Sequence, residues 1–148
     1  VNEKENKLWF HSDIRSNKVK NLKSNHDATL LFYDKTEKIQ LRVFGKAKIN
    51  YQNDITKSSW KKTSHMSRQC YLGEHAPGSN ADQGTSGLTK IVDNLKYTKE
   101  ESEKGYINFC VIELFVKSIE WLYLAAKGHR RALFSLKNNS LEKKWLIP

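Results

Sequence analysis

The alternation of apolar and polar positions predicts a chain made mainly of strands, beginning with a short strand over residues 8–12. Ser16 is then placed to cap a helix that carries Val19 and Leu22 on one face. Residues 23–25, Lys-Ser-Asn, end that helix. The first 25 residues therefore predict a strand followed by a helix.

Two strands joined by a short polar turn come next and predict a β-hairpin. Residues 28–34, ATLLFYD, are nearly continuous in apolar character, which is typical of a buried strand. Residues 39–49 alternate instead, with aliphatic residues on one face and Gln40 and Arg42 on the other. Such polar residues on a barrel wall either face solvent or contact a ligand.

The middle of the chain predicts helices and a long loop. Asp54 is placed to cap a helix that runs to about Thr63, and a second short helix is predicted around residues 66–72. Residues 73–87 are rich in Gly and Ser and too long for an ordinary connection, which favours a functional loop. Residues 97–105 have the composition of a polar linker.

The C-terminal third returns to strands. Residues 106–125 predict one long bent strand or two joined strands, and residues 130–136 and 143–148 a closing hairpin. A period of two places three basic residues on one strand face, where they form either an anion site or a solvated basic edge: Lys127, His129 and Arg131.

Length and composition fit one compact domain over residues 1–148, and many antiparallel strands with few helices favour a small β-barrel with flanking helices. Hydrophobic residues make up 38% of the chain, enough for a core. The net charge of +10 favours an anionic partner, namely nucleic acid, anionic lipid or a phosphorylated small molecule, although many of the lysines are expected to be merely solvated.

The cellular setting is predicted from what the sequence lacks. It has no apolar run long enough to span a bilayer and no signal peptide. Cys70 and Cys110 lie far apart without metal-ligand spacing, which favours two reduced, buried thiols. A cytoplasmic protein without membrane or metal sites is expected. The chain starts at Val1 within an apparent strand, so we expect a preceding segment that completes the fold.

One constellation is suited to chemistry. Arg15, Ser16 and Lys18 cluster where the first helix begins, and a helix N-terminus offers N–H groups and a partial positive charge to an anion. The pattern indicates a phosphate pocket; the alternative is helix capping with solvated cations. No residue is assigned a catalytic role, because none of the common hydrolase, zinc or nucleotide-loop motifs is present.

Three stretches in the same order resemble the pyridoxamine 5'-phosphate oxidase family of FMN-binding split barrels. Residues 10–34 followed by 39–49 resemble the family's core. YLGEHAPGS, residues 71–79, is similar to its substrate loop, and residues 119–148 resemble its C-terminal strands. The resemblance implies a six-stranded antiparallel split barrel, here without its first strand, that works as a homodimer with FMN at the interface.

The resemblance also implies which residues bind FMN. The family's phosphate-binding turn corresponds to Ser16, Asn17 and Lys18, and an aromatic-Thr pair before it corresponds to His11 and Ser12. Asn17 replaces an arginine whose charge Arg15 could supply. The remaining FMN contacts correspond to Gln40, Gln83 and Arg131.

The substrate contacts depart further from the family pattern. They correspond to Tyr71, His75, Ser79, Lys127 and His129. His75 and Lys127 stand where the oxidases have arginine, and Leu122 stands where a tryptophan contacts the flavin. Because arginine and lysine are not equivalent at phosphate sites, we expect pyridoxamine phosphate to be a poor substrate.

The function implied is an FMN-dependent oxidoreductase acting on a small molecule, with or without a phosphate group. Two alternatives stay open: a non-catalytic barrel that binds FMN or haem, and a nucleic-acid-binding β-barrel. The latter needs aromatic residues alternating with basic ones on an exposed sheet face. The aromatic residues here lie mostly in apolar runs, which predicts that they are buried and disfavours a nucleic-acid partner.

Overall fold

A computed structural model describes residues 6–94, 96–137 and 140–148. Its first half contains β1 (Lys7–Asp13), α1 (Asn17–Ser24), β2 (Asp27–Asp34), β3 (Ile39–Tyr51), α2 (Asp54–Lys62) and α3 (His65–Arg68), followed by a 3₁₀ turn, Gln69–Tyr71. Its second half contains α4 (Lys90–Asp93), α5 (Lys99–Ser102), a 3₁₀ turn (Glu103–Asn108), β4 (Phe109–Tyr123), β5 (Arg130–Lys137) and β6 (Ser140–Leu146).

The strands form one six-stranded sheet in the order β2-β3-β4-β5-β6, and β1 pairs with β4. The predicted hairpin is confirmed, with Leu30 opposite Val43 and Tyr33 opposite Gln40. The closing hairpin is confirmed too, although its turn residues 138–139 lie outside the described residues. A mainly β fold with flanking helices is therefore confirmed.

Contacts divide the chain into two compact units. Of the residues that the structure describes, the strand unit comprises 6–8, 26–48, 114–137 and 140–148, and the helical unit comprises 9–25, 49–94 and 96–113. In the strand unit, Gly45 lies so close to β4 that an added Cβ would overlap the Phe115 carbonyl. Only glycine permits that approach of β3 to β4.

The core of the helical unit is aromatic. Trp60, Tyr71, Phe109 and Val111 are buried together, with the Trp60 and Phe109 ring centroids 5.0 Å apart. Offset and edge-on ring contacts of this kind add to the hydrophobic burial.

Two predictions in this unit need correction, one for a helix cap and one for a linker. Asn53, not Asp54, caps α2, because its side chain accepts from the Thr56 N–H while the Thr56 hydroxyl accepts from the Asn53 N–H. Residues 97–105 are not a linker. They form α5 and the start of the 3₁₀ turn, and Glu103 accepts a hydrogen bond from the Trp60 indole at 2.7 Å. Their polar side chains therefore cap α5 and form hydrogen bonds with the core, instead of being solvated as in a flexible linker.

Three further predictions are wrong or only partly right. β2 is not buried in the single chain: Leu31, Phe32 and Tyr33 are 63%, 48% and 57% exposed, since β2 ends the strand order and pairs only with β3. Residues 106–108 belong to the 3₁₀ turn, and β4 starts at Phe109. Cys110 is buried as expected, but Cys70 is exposed.

Candidate functional site

The start of α1 holds two buried serine hydroxyls side by side. Ser16 is the N-cap residue of α1, as the sequence predicts, yet its side chain makes no capping hydrogen bond. Its Oγ lies instead 3.3 Å from the Ser12 Oγ, and both residues are about 93% buried. The first N–H groups of a helix have no partner within the helix. The hydroxyls and the helix end thus form a small polar cradle.

The charge at this helix end is positive. The first turn of α1 has no acidic residue, and Lys18 lies in it with its ammonium group 5.9 Å from the centroid of the Phe10 ring. Asn17 is exposed beside Lys18. The Asn17 side-chain amide also borders Gly78 of the long loop, where an added Cβ would lie 3.3 Å from it. The helix dipole and Lys18 both favour an anion here.

Arg15 is directed toward the protein rather than toward the cradle. Its Nη2 donates to Asp13 Oδ2 at 2.8 Å, and both Nη1 and Nη2 donate to the Gly73 carbonyl at 3.1 Å. The Asp13 carboxylate raises the pKa of Arg15 above its usual value. Asp13 is itself buried, so this ion pair ties the end of β1 to the start of the long loop. Sequence reasoning missed Asp13, although its position two residues before Arg15 in a turn is a usable signal.

His11 is held inside the helical unit. Its Nε2 lies 2.7 Å from the Ser59 Oγ, and its ring meets Phe109 edge-on with centroids 4.8 Å apart. Burial lowers the pKa of His11 below its ordinary 6.5. The imidazole is therefore neutral at pH 7, and it contributes a hydrogen bond to Ser59 rather than a positive charge.

The long loop over residues 73–87 is irregular, as predicted, and encloses a pocket of about 720 Å³. The pocket brings together four predicted site residues: Arg15, His75, Ser79 and Gln83. The last three are exposed, so their side chains can meet a ligand. Exposed Cys70 also lines this pocket.

Tyr71, a predicted substrate contact, lies in the aromatic core instead of the long-loop pocket. Its ring meets Trp60 and Phe109 edge-on, with centroids 5.7 and 5.1 Å apart. Burial is the main cause that raises the pKa of its phenol to about 12. Tyr71 is therefore a neutral residue of the core at any physiological pH.

The other predicted site residues belong to the strand unit. Gln40 is half-buried on β3. Arg131 on β5 donates to Glu120 Oε2 at 2.8 Å, and its buried Nε has no hydrogen-bond partner. Lys127 and His129 are exposed. The expected strand row is wrong: β5 begins at Arg130, and the two residues lie in the preceding turn, where Gly128 has φ +116°.

No group of three or more His, Cys, Asp or Glu side chains in residues 6–94, 96–137 and 140–148 is placed to hold a metal ion. Within the same ranges, none of the helices is long and apolar enough to cross a membrane.

Comparisons with known proteins agree with the fold. The family model for pyridoxamine 5'-phosphate oxidase matches residues 1–98. A solved structure from Nostoc punctiforme, a pyridoxamine 5'-phosphate oxidase-related FMN-binding protein, is 18% identical, with all of this chain and 76% of that one aligned at a TM-score of 0.76.

A second structure, PhzG from Burkholderia lata in complex with tetrahydrophenazine-1-carboxylic acid, is 16% identical, with 95% of this chain and 68% of that one aligned at a TM-score of 0.67. No sequence among curated proteins matches the chain. The solved structures support the fold, and the family model covers about two thirds of the sequence. The chain therefore belongs to the pyridoxamine 5'-phosphate oxidase family.

Proposed function

We propose that this chain binds FMN and acts as an FMN-dependent oxidoreductase, with the FMN phosphate held at the start of α1. The observation that carries the proposal is the pair of buried hydroxyls of Ser12 and Ser16, 3.3 Å apart at a helix N-terminus where Ser16 does not cap the helix. A phosphate oxygen could accept hydrogen bonds from both hydroxyls and from the first helical N–H groups.

The fit of a phosphate to this cradle is also electrostatic. Hydrogen bonds to a charged group contribute about 1.5–3 kcal/mol each, roughly twice as much as neutral ones. Lys18 in the first turn and the positive end of α1 add to the attraction, and that turn contains no carboxylate. Arg15 would act indirectly, because its guanidinium is already shared between Asp13 and Gly73.

FMN, when bound, would supply hydride transfer between a substrate and a second electron acceptor. The residues of the chain would hold and orient it. Following the family resemblance, we assign Gln40 and Arg131 to the flavin ring. Glu120, which accepts from Arg131 at 2.8 Å, would fix the direction of that guanidinium and offset part of its charge.

For the substrate, we propose a small molecule that enters the pocket enclosed by residues 73–87. His75 and Ser79 line that pocket and offer it hydrogen bonds. Following the family resemblance, we also assign Lys127 and His129 to substrate binding. Since His75 and Lys127 replace arginines of the family pattern, turnover of pyridoxamine phosphate should be slow.

We also propose that the protein is a homodimer that uses the exposed strand β2. Leu31 and Tyr33 share one face of β2 and are 63% and 57% exposed, and exposed apolar surface of this kind commonly marks a protein interface. A second copy of the chain would cover it. Light scattering on the purified protein should give twice the chain mass of 17.2 kDa, and Leu31→Lys should give the single-chain mass.

The function is tested by titrating the purified protein with FMN and recording the visible absorption spectrum. The proposal predicts a perturbed flavin spectrum that saturates at one FMN per chain. Under anaerobic conditions, reduced nicotinamides and primary amines are then screened for bleaching of the bound flavin. Absence of FMN binding would contradict the proposal. Binding without reduction by any donor would favour the non-catalytic flavin carrier instead.

A further inference from the structure

One face of the three C-terminal strands carries aromatic residues in register. Trp121 of β4 lies opposite Ala132 of β5, and Ala132 lies opposite Trp145 of β6. Side chains of directly paired residues point to the same face of a sheet. The two tryptophans therefore flank a small residue, so that their rings can stand on either side of it. We call this surface the tryptophan face.

The neighbouring rows extend the same surface. On one side, Tyr123 pairs with Arg130; on the other, Phe134 pairs with Lys143. The Trp121 and Tyr123 rings are nearly parallel, at 14° with centroids 6.2 Å apart. The tryptophan face thus carries aromatic rings next to cations, together with aliphatic residues such as Ile119 opposite Phe134, which the sequence did not predict.

The tryptophan face is open to solvent in the single chain. Trp145 is 75% exposed, although its ring meets Trp121 nearly perpendicularly at a centroid distance of 6.5 Å. Between them lies an apolar pocket of about 330 Å³, bordered also by Phe134 and Lys143. Contiguous exposed apolar surface of this kind commonly marks an interaction or ligand-binding site.

The charge of the tryptophan face is positive. Arg130 and Lys143 lie on it, and both are exposed. The nearest carboxylates along these strands, Glu120 and Glu142, alternate to the opposite face, where they pair with Arg131 and Lys137. Among the paired strand residues that the structure describes here, the tryptophan face carries cations and no carboxylate.

From these observations we propose that the tryptophan face binds single-stranded nucleic acid. Bases would stack on Trp121 and Trp145, and Arg130 and Lys143 would contact the flanking phosphates. Aromatic rings beside cations on an open sheet suit this ligand, because every base has a flat π-face and every linkage carries a negative charge. A second apolar chain is a poorer match, since it would leave those two cations without partners.

The proposal is tested by fluorescence anisotropy with a fluorescein-labelled twelve-residue oligouridine at low salt, in the presence of saturating FMN. An oligothymidine of the same length tests whether RNA or DNA is preferred. We expect Trp145→Ala to weaken binding at least about fivefold, the loss of one stacked base. Trp9→Ala is the matched control, since it removes a 48% exposed tryptophan from another strand and should leave binding unchanged.

A second pair of variants tests the cations. Lys143→Gln should reduce the slope of log affinity against log salt by about 0.7, the value for one phosphate contact on a single strand. Lys57→Gln on α2 changes the net charge equally and should not alter the slope.

Three results would overturn the proposal. They are no oligonucleotide binding at low salt, equal losses in Trp145→Ala and Trp9→Ala, and conversion of a dimer to a monomer by Trp145→Ala without an effect on oligonucleotide affinity. The last result would assign the tryptophan face to a second copy of this chain.

Discussion

The start of α1 and the turn before β5 carry similar predicted anion sites, but they fold very differently. At the start of α1, two hydroxyls are buried 3.3 Å apart and a lysine stands in the first helical turn. Before β5, Lys127 and His129 are exposed in a turn without regular structure. A helix end holds its hydrogen-bond donors in fixed positions, whereas the exposed side chains of the turn are not held by burial. The first region is suited to bind a ligand tightly, and the second to adjust to one.

The largest difference should come from placing a carboxylate in the cradle. Asp is a favoured N-cap residue, so Ser16→Asp should keep α1 folded, while its charge repels the FMN phosphate. Like charges in contact cost several kcal/mol, so FMN affinity should fall at least about 100-fold. Calorimetric titration measures it. Ser64→Asp at the exposed N-cap of α3 is the control. An equal loss of FMN affinity in that variant would show that the cradle is not the phosphate site.

The ion pair between Asp13 and Arg15 should contribute more to the stability of the fold than to the electrostatic attraction of the phosphate. Arg15→Ala leaves the buried Asp13 carboxylate without its main partner and should lower the free energy of unfolding by about 1.5–3 kcal/mol. Urea denaturation measures this change. Arg42→Ala is the matched control, because its ion pair with Glu120 is 3.6 Å long and half exposed. A loss no larger than the control's would mean that Arg15 is free to bind phosphate.

The contribution of Lys18 can be separated from net charge. Lys18→Gln should weaken FMN binding about tenfold, equivalent to one hydrogen bond to a charged group. Lys23→Gln lies on the same helix and removes the same charge, but in the last turn. Fluorescence quenching of free FMN would measure both affinities. If both variants bind alike, only long-range attraction acts at this site.

The pH dependence of stability should report on His11. Its pKa is lowered in the folded chain, so as pH falls through about 6.5 the unfolded state gains a proton that the folded state resists. Stability should therefore be full above this range and decline between pH 7 and 5. His11→Gln should remove part of the decline, measured by urea unfolding at both ends. His75→Gln, at an exposed position, is the control, and an identical effect there would contradict the role of burial.

The smallest effect on FMN should come from the basic turn. His129→Ala should change FMN affinity by about threefold or less, because exposed side chains contribute within about 0.5 kcal/mol. It should raise the KM for whichever substrate reduces the flavin. Steady-state kinetics at saturating FMN would measure that change. A large loss of FMN affinity in this variant would instead indicate that the turn contacts the cofactor.

The sequence was sufficient where local chemistry decides the structure. The periodicity of residues 39–49 and the polar turn before them specify a hairpin, and Ser16 marks the start of α1 correctly. Two failures have tertiary causes. Arg15, which was expected to bind phosphate, forms an ion pair with Asp13 instead. β2 is exposed because it lies at the end of the strand order. Neither a long-range ion pair nor the order of strands in a sheet can be predicted from local periodicity.

The same limit applies to the aromatic residues. Tyr71 is expected from the family resemblance to contact substrate, but packing against Trp60 and Phe109 places it in the core. Trp145 lies in the predicted closing hairpin, and it is 75% exposed although the aromatic residues were expected to be mostly buried. Whether a given ring is buried depends on which strands cover it, and the neighbours of a strand in a sheet cannot be read from its own residues.

The central claim is that the start of α1 recognises the phosphate of the flavin, and comparing FMN with riboflavin tests it most directly. Riboflavin has the same ring and lacks only the phosphate. Two or more hydrogen bonds to a charged group predict that the wild-type protein binds FMN at least about 100-fold more tightly than riboflavin. Equal affinities for the two flavins would contradict the claim.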